Sequence, residues 1–203
     1  MRKGQMTKEH IIRESAVLFN TKGYTGASLS DIMERCGMRK GGIYNHFENK
    51  DEIALAAFDY SFGQIQGLLS EALGSAATSK EKLLAIGQVY IDLIERSSLE
   101  GGCPLLNTAV ESDDAHPLLK ERARQAMTVF IRKLSSILIE GMENEEFNKE
   151  LSPEEVSSYM IAVIEGGLML SKLFDDSKYI RSCVRQLTQF IEDQVLSNPV
   201  TKS

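Results

Sequence analysis

Ser28-Leu29-Ser30-Asp31-Ile32-Met33-Glu34-Arg35-Cys36-Gly37-Met38-Arg39-Lys40-Gly41-Gly42-Ile43-Tyr44-Asn45-His46-Phe47 is the stretch from which the organisation of this chain can be read. Ser28, with Asp31 three residues on, forms a capping-box start in which hydroxyl and carboxylate satisfy orphan amides; the short helix it opens, 29–36, must stop at Gly37. A second helix, 40–47, begins within three residues. Short helix, glycine-containing turn and second short helix make a helix-turn-helix, whose second helix enters the DNA major groove. Within that second helix only Ile43 and Phe47, four apart, suit anchoring on a core. Arg39, Lys40, Tyr44, Asn45 and His46 are left to meet phosphates or base edges.

Outward from this stretch the chain reads as helix throughout. The four prolines, at 104, 117, 153 and 199, all lie outside helix interiors, and β-branched alternating runs are absent. A helix over 7–22 starts at Thr7, lines one face with Ile11, Ile12, Ser15, Ala16 and Phe19, and stops at Gly23 in a left-handed conformation. Asn49-Lys50-Asp51-Glu52 caps a long helix, 50–73, with Ile53, Ala57, Phe58, Phe62, Ile65 and Leu69 at helical spacing. Further helices are predicted over 79–97, 104–111, 116–140, 153–173 and 177–196, several with Pro at the first helical position. Gly141 to Glu150 reads as an acidic, exposed connection.

The 203 residues are 42% hydrophobic and 26% charged, enough for a globular core, which excludes disorder and collagen-like or disulfide-framed folds. The formal charge of -6 is unevenly spread. Residues 1–48 hold eight basic side chains (Arg2, Lys3, Lys8, Arg13, Lys22, Arg35, Arg39, Lys40) and five acids, whereas 49–203 hold 15 basic residues against 24 acids. A basic module that meets a polyanion is therefore joined to an acidic one with another task. The N-terminus lacks the apolar run of a signal peptide, and the apolar segment Tyr159 to Leu170 carries Glu165, so a cytoplasmic protein is expected. Cys36, Cys103 and Cys183 are odd in number and scattered, giving neither a disulfide framework nor a zinc site.

Gly23-Tyr24, Ser28-Leu29-Ser30-Asp31-Ile32, Gly37, Lys40-Gly41, Tyr44, Phe47 and Lys50 together resemble the DNA-binding signature of the TetR family of bacterial regulators. The resemblance covers about residues 7–53. It implies an all-α chain: a three-helix DNA-binding domain with helix-turn-helix (1–48), then a helical effector-binding and dimerisation domain (49–203). It further implies a homodimer on a palindromic operator, usually a repressor, released by a small molecule. Carried onto this sequence, the family pattern gives Ser28 and Lys50 phosphate-positioning roles and Tyr44 and His46 backbone contacts. Arg39, Lys40, Gly42 and Asn45 take groove-facing positions beside Gly41. Many members have Ser or Thr where Arg39 and Gly42 stand, so operator preference does not transfer.

Other residues suggest further roles. Phe58, Phe62, Tyr90, Cys103, Met127 and Phe130 sit on helices that would enclose a pocket for a hydrophobic or amphipathic effector, or would be plain core. Helix 50–73 would couple that pocket to the DNA module. Ala162, Gly166 and Leu170, with the stripe Ile180, Val184, Leu187 and Ile191, are candidates for a dimer interface or for internal core. Cys103, at a helix start after Gly101-Gly102, suits an oxidant or electrophile sensor, a cap, or the nucleophile of a thiol enzyme with His116 as base. Glu111, Asp113, Asp114 and His116 cluster but match no metal-ligand spacing. The expectation is a regulator rather than an enzyme, without metal or cofactor, whose partners are double-stranded DNA, an effector and a second copy of itself.

Overall fold

The computed structural model describes residues 3–96, 100–112 and 116–196. Among these the chain is helical, as expected, with an isolated antiparallel bridge between Phe147 and Leu196 as its only strand-like pairing. The helices are α1 (Lys3–Gly26), α2 (Leu29–Cys36), α3 (Lys40–Tyr44), α4 (Lys50–Ser75), α5 (Ser79–Glu95), α6 (Pro104–Glu111), α7 (Pro117–Glu143), α8 (Pro153–Leu173) and α9 (Lys178–Phe190). A π-helical turn, Ile191–Val195, continues α9.

Side-chain caps set several of the helix starts. Ser28 with Asp31 and Thr78 with Glu81 form reciprocal capping boxes, and the Ser152 hydroxyl accepts from the Glu155 amide ahead of Pro153. Several ends differ from expectation, and α7 runs on to Glu143, past the expected 140. α1 begins before Thr7 and is broken at Gly23 (φ 77°, ψ 167°), in a region open only to glycine; the chain then continues one further turn to Gly26. α3 ends at Tyr44 rather than at 47, in keeping with the low helix propensity of Gly41-Gly42.

The chain forms two compact units. One takes the described residues of Met1–Gln66 and Leu99–Ala126, the other those of Gly67–Ser98 and Met127–Ser203. The boundaries of these units fall inside α4 and α7, because α6 folds back onto α1. In the first unit Ile11, Leu18, Ala27, Ile32, Cys36, Ile43, Phe47 and Ile53 form one buried cluster, and the anticipated anchors Ile43 and Phe47 lie within it.

In the second unit α9 lies against α8 and α5. A Cβ on Gly167 would stand 3.0 Å from Ile180 and Cys183, and one on Gly87 would stand 2.8 Å from Val184. Ile180, Leu187 and Ile191 are buried within the unit. Of the two roles open to the α9 stripe, dimer interface or internal core, it takes the second, because its apolar face is already covered by helices of the same chain. α8 has the length and hydropathy of a membrane span, yet half of that window, Glu165 included, is buried here.

The connection after α7 is also more structured than its composition suggests. Glu146 accepts from the Ser79 and Lys80 amides, both at 3.1 Å, at the positive end of α5. Phe147 is 1% exposed and lies against Gly141, where a Cβ would come within 2.2 Å of its ring. Phe147→Ala is expected to cost about 3–5 kcal/mol of unfolding free energy in urea denaturation. An exposed connection would show almost no loss.

Candidate nucleic-acid interface

The reading head is α2, the turn at Gly37 and α3. Gly37 takes the left-handed conformation (φ 64°, ψ 30°), and the turn is closed by its amide and that of Met38 donating to carbonyls of Glu34 and Met33. Ile43 and Phe47 hold α3 down on the core. Arg39, Lys40, Gly41, Tyr44 and Asn45 are exposed as a result, with His46 half-buried. The Lys40 ammonium lies 5.6 Å from the centre of the Tyr44 ring, so cation and phenol form one exposed patch.

The two glycines differ. Nothing lies within 4 Å of a Cβ placed on Gly41, so that backbone is open to close approach, whereas Gly42 is covered by the Met38 methyl. Ser28 is exposed at the start of α2, with its hydroxyl engaged by Asp31. Hydrogen bonds from Lys22 and then Ser28 hold the Asp31 carboxyl far below the usual carboxylate range.

Lys50 departs from the phosphate role implied for it. Its ammonium donates to the Tyr24 carbonyl at 2.5 Å and lies 4.1 Å from the centre of the Tyr24 ring, and burial lowers its pKa. Tyr24, which the sequence offers only as part of the signature, is a junction. Its hydroxyl donates to Asp51, and its ring meets the edge of His116 at 4.5 Å. The Leu119 amide donates to His116 Nδ1, so the Nε2 proton points toward Asp51 at 3.4 Å. Burial, then the Asp51 bond, raises the Tyr24 pKa to about 12, while the same bond, before any other cause, lowers that of Asp51.

A cavity of about 40 Å³ lies in this first unit, lined by Phe19, Tyr24, Phe58, Asn107, Glu111, His116 and neighbours. Of the six residues proposed for an effector pocket, only Phe58 lines it. Phe62 stacks on Phe58 at 6.1 Å, and Cys103 is 3% exposed and outside the lining. Tyr90, Met127 and Phe130 belong to the second unit, where the rings of Tyr90 and Phe130 meet at 6.2 Å. The cavity's aromatic wall is made by Phe19 and Tyr24 of α1 together with Phe58, so the aromatic residues chosen from the later helices lie elsewhere. Asp113 and Asp114 lie outside the described residues, and Glu111 and His116 are engaged with Tyr24, Thr25, Asp51 and Leu119. With both ring nitrogens so placed, His116 has none left to serve Cys103 as a base.

On α8 the small residues Ala162 and Gly166 and the half-buried Leu170 share an outer face with the exposed Tyr159, Met169, Leu173 and Phe174. This apolar stripe has helical spacing and is uncovered in the single chain.

Comparison with known proteins places these features. Residues 11–57 match the family described as bacterial regulatory proteins, tetR family, and residues 79–187 match the tetracyclin repressor-like C-terminal domain. A TetR transcriptional regulator from Chloroflexus aurantiacus is 36% identical, with a TM-score of 0.93, over 97% of this chain and 100% of that one. A TetR-family regulator from Cytophaga hutchinsonii is 33% identical, with a TM-score of 0.90, over 98% and 99%. The transcriptional repressor DhaR of Mycobacterium sp. strain GP1 is 24% identical over 82% of each chain.

The Tyr24–Asp51 bond has a pH signature. A carboxylate with a folded pKa below its unfolded value stabilises the fold above the unfolded value, near 3.9, and that contribution fades as pH falls through the folded pKa. Asp51→Asn is expected to be less stable than wild type at pH 7, with the gap closing below about pH 4. A gap constant from neutral to acid pH in urea titrations would contradict the bond.

Proposed function

We propose, starting from the fact that this chain belongs to the TetR family of DNA-binding transcriptional regulators, that it is a homodimeric repressor of a palindromic operator. Residues 1–48 are the DNA-binding domain and residues 49–203 the effector-binding and dimerisation domain. Arg39, Lys40, Gly42 and Asn45 face the major groove beside Gly41, with Ser28, Tyr44 and His46 on the DNA backbone. The observation that carries this reading is the exposed cationic and hydrogen-bonding surface of α3 above the buried anchors Ile43 and Phe47. The protein acts in the cytoplasm.

A two-fold operator needs two reading heads about 34–36 Å apart. The α8 stripe supports dimerisation, since Leu173 is 69% exposed in the single chain and Gly166 leaves room for a neighbouring backbone. The effector is a small hydrophobic or amphipathic molecule, and it must bind the non-competent spacing better, because equal affinity for both states shifts nothing. The described cavity is below the roughly 300–1,000 Å³ of ordinary ligand sites, so it must open to accept one.

Two measurements test this reading. Fluorescence anisotropy against DNA upstream of the chain's own gene and against scrambled DNA, across a salt series, is expected to show selective binding that Tyr44→Ala abolishes. Equal, purely salt-driven binding to both would count against an operator there. Leu173→Glu is expected to convert a dimer to a helical monomer in sedimentation analysis. A variant that stays dimeric would move the interface elsewhere.

A further inference from the structure

The end of α1, on both sides of the break at Gly23, is fastened to α6 and to the residues just ahead of it by polar bonds between residues 80 to 87 apart in sequence. At its upstream end the Asn20 amide donates to the carbonyls of Glu100 (2.6 Å) and Gly102 (2.8 Å). Asn107 donates to Asn20 Oδ1 at 2.9 Å and to the Gly101 carbonyl at 2.9 Å. At its downstream end the Glu111 carboxylate accepts from the amides of Tyr24 and Thr25, one per oxygen and each at 2.8 Å. The arrangement needs Gly23, since a Cβ there would stand 2.7 Å from a Glu111 oxygen and its φ is 77°.

We propose that Glu111 is a positioning residue for operator recognition, and that losing its hold on the end of α1 is the step by which a molecule entering the neighbouring cavity releases DNA. The inference rests on the reading of this chain as an effector-released operator binder. Two charge-assisted bonds fix the amides that lie three and four residues ahead of the Ser28 cap, and so fix where α2 and α3 begin. The clamp side chains Asn20, Asn107 and Glu111 line the cavity, together with Tyr24 and Thr25, whose amides Glu111 holds. At about 40 Å³ it has room for water but for no organic effector. Such a molecule has to push the lining apart, and the Glu111 bonds to the Tyr24 and Thr25 amides are part of that lining.

The test uses full-length protein and a DNA sequence selected from a random pool by the wild-type chain, with scrambled DNA as control. Glu111→Gln keeps the shape and one acceptor, and Glu111→Ala removes both. Ala57→Leu fills the cavity from α4 without touching the clamp chemically. The expected result is a loss of selected-DNA affinity in the order Gln then Ala, about tenfold or more for Ala. Scrambled-DNA binding should stay within about twofold, since phosphate contacts alone carry it. Ala57→Leu should reproduce the loss with unchanged helical circular dichroism.

Retained selectivity in Glu111→Ala would overturn the proposal. So would a parallel fall on both DNAs that tracks the unfolded fraction, which marks a merely structural residue. Selectivity retained by a folded Ala57→Leu would overturn the release step. Failure of the wild type to enrich any sequence would instead fell the operator reading itself, and the inference with it; that outcome is visible in the wild-type arm alone.

Discussion

One backbone requirement governs the reading head: positive φ at Gly23, with no side chain there. A residue with a Cβ would be strained at that φ and would collide with the Glu111 carboxylate. With glycine, α1 breaks, the chain turns, and the next two amides point at a fixed anion. From there Lys50 secures the Tyr24 carbonyl, Asp51 the Tyr24 hydroxyl and Asp31 the start of α2. The recognition surface is thus oriented by a chain of directional bonds laid over an apolar core that carries the bulk of the burial.

Local features were legible in the sequence because their physics is local. Ser28 with Asp31, Pro104 after Cys103, and Ser152-Pro153 announce helix starts through residues three or fewer apart, and α2, α6 and α8 run where those signals put them. Ile43 and Phe47 were legible as anchors because four-residue spacing on a short helix leaves a single apolar face. The break at Gly23 was legible as a stop, but its ψ of 167° was not, since that angle depends on Glu111, far along the chain.

What escaped reading depends on pairing. Periodicity shows that Ile180, Leu187 and Ile191 share a face; it does not show that α8 and α5 of the same chain cover it, leaving the outer face of α8 as the exposed one. Phe147 lies in an acidic stretch, and nothing nearby indicates that Gly141 and the bridge to Leu196 receive it. Glu111 read as part of an acidic cluster because its true partners are amides, which every residue but proline carries and no sequence motif records.

The proposed release step draws on the contrast between core and clamp. Apolar packing is non-directional and spread over many atoms, so a modest intrusion leaves most of it in place. Hydrogen bonds to a fixed carboxylate are few and depend steeply on geometry, so a shift of an ångström or so at Glu111 removes most of what they supply. A clamp of that kind is stiff until displaced and weak afterwards, which is the behaviour of a two-state element. An effector that needs more space than the closed cavity offers has by that fact unequal affinity for the two states, and unequal affinity is what an effector needs in order to shift the balance between them.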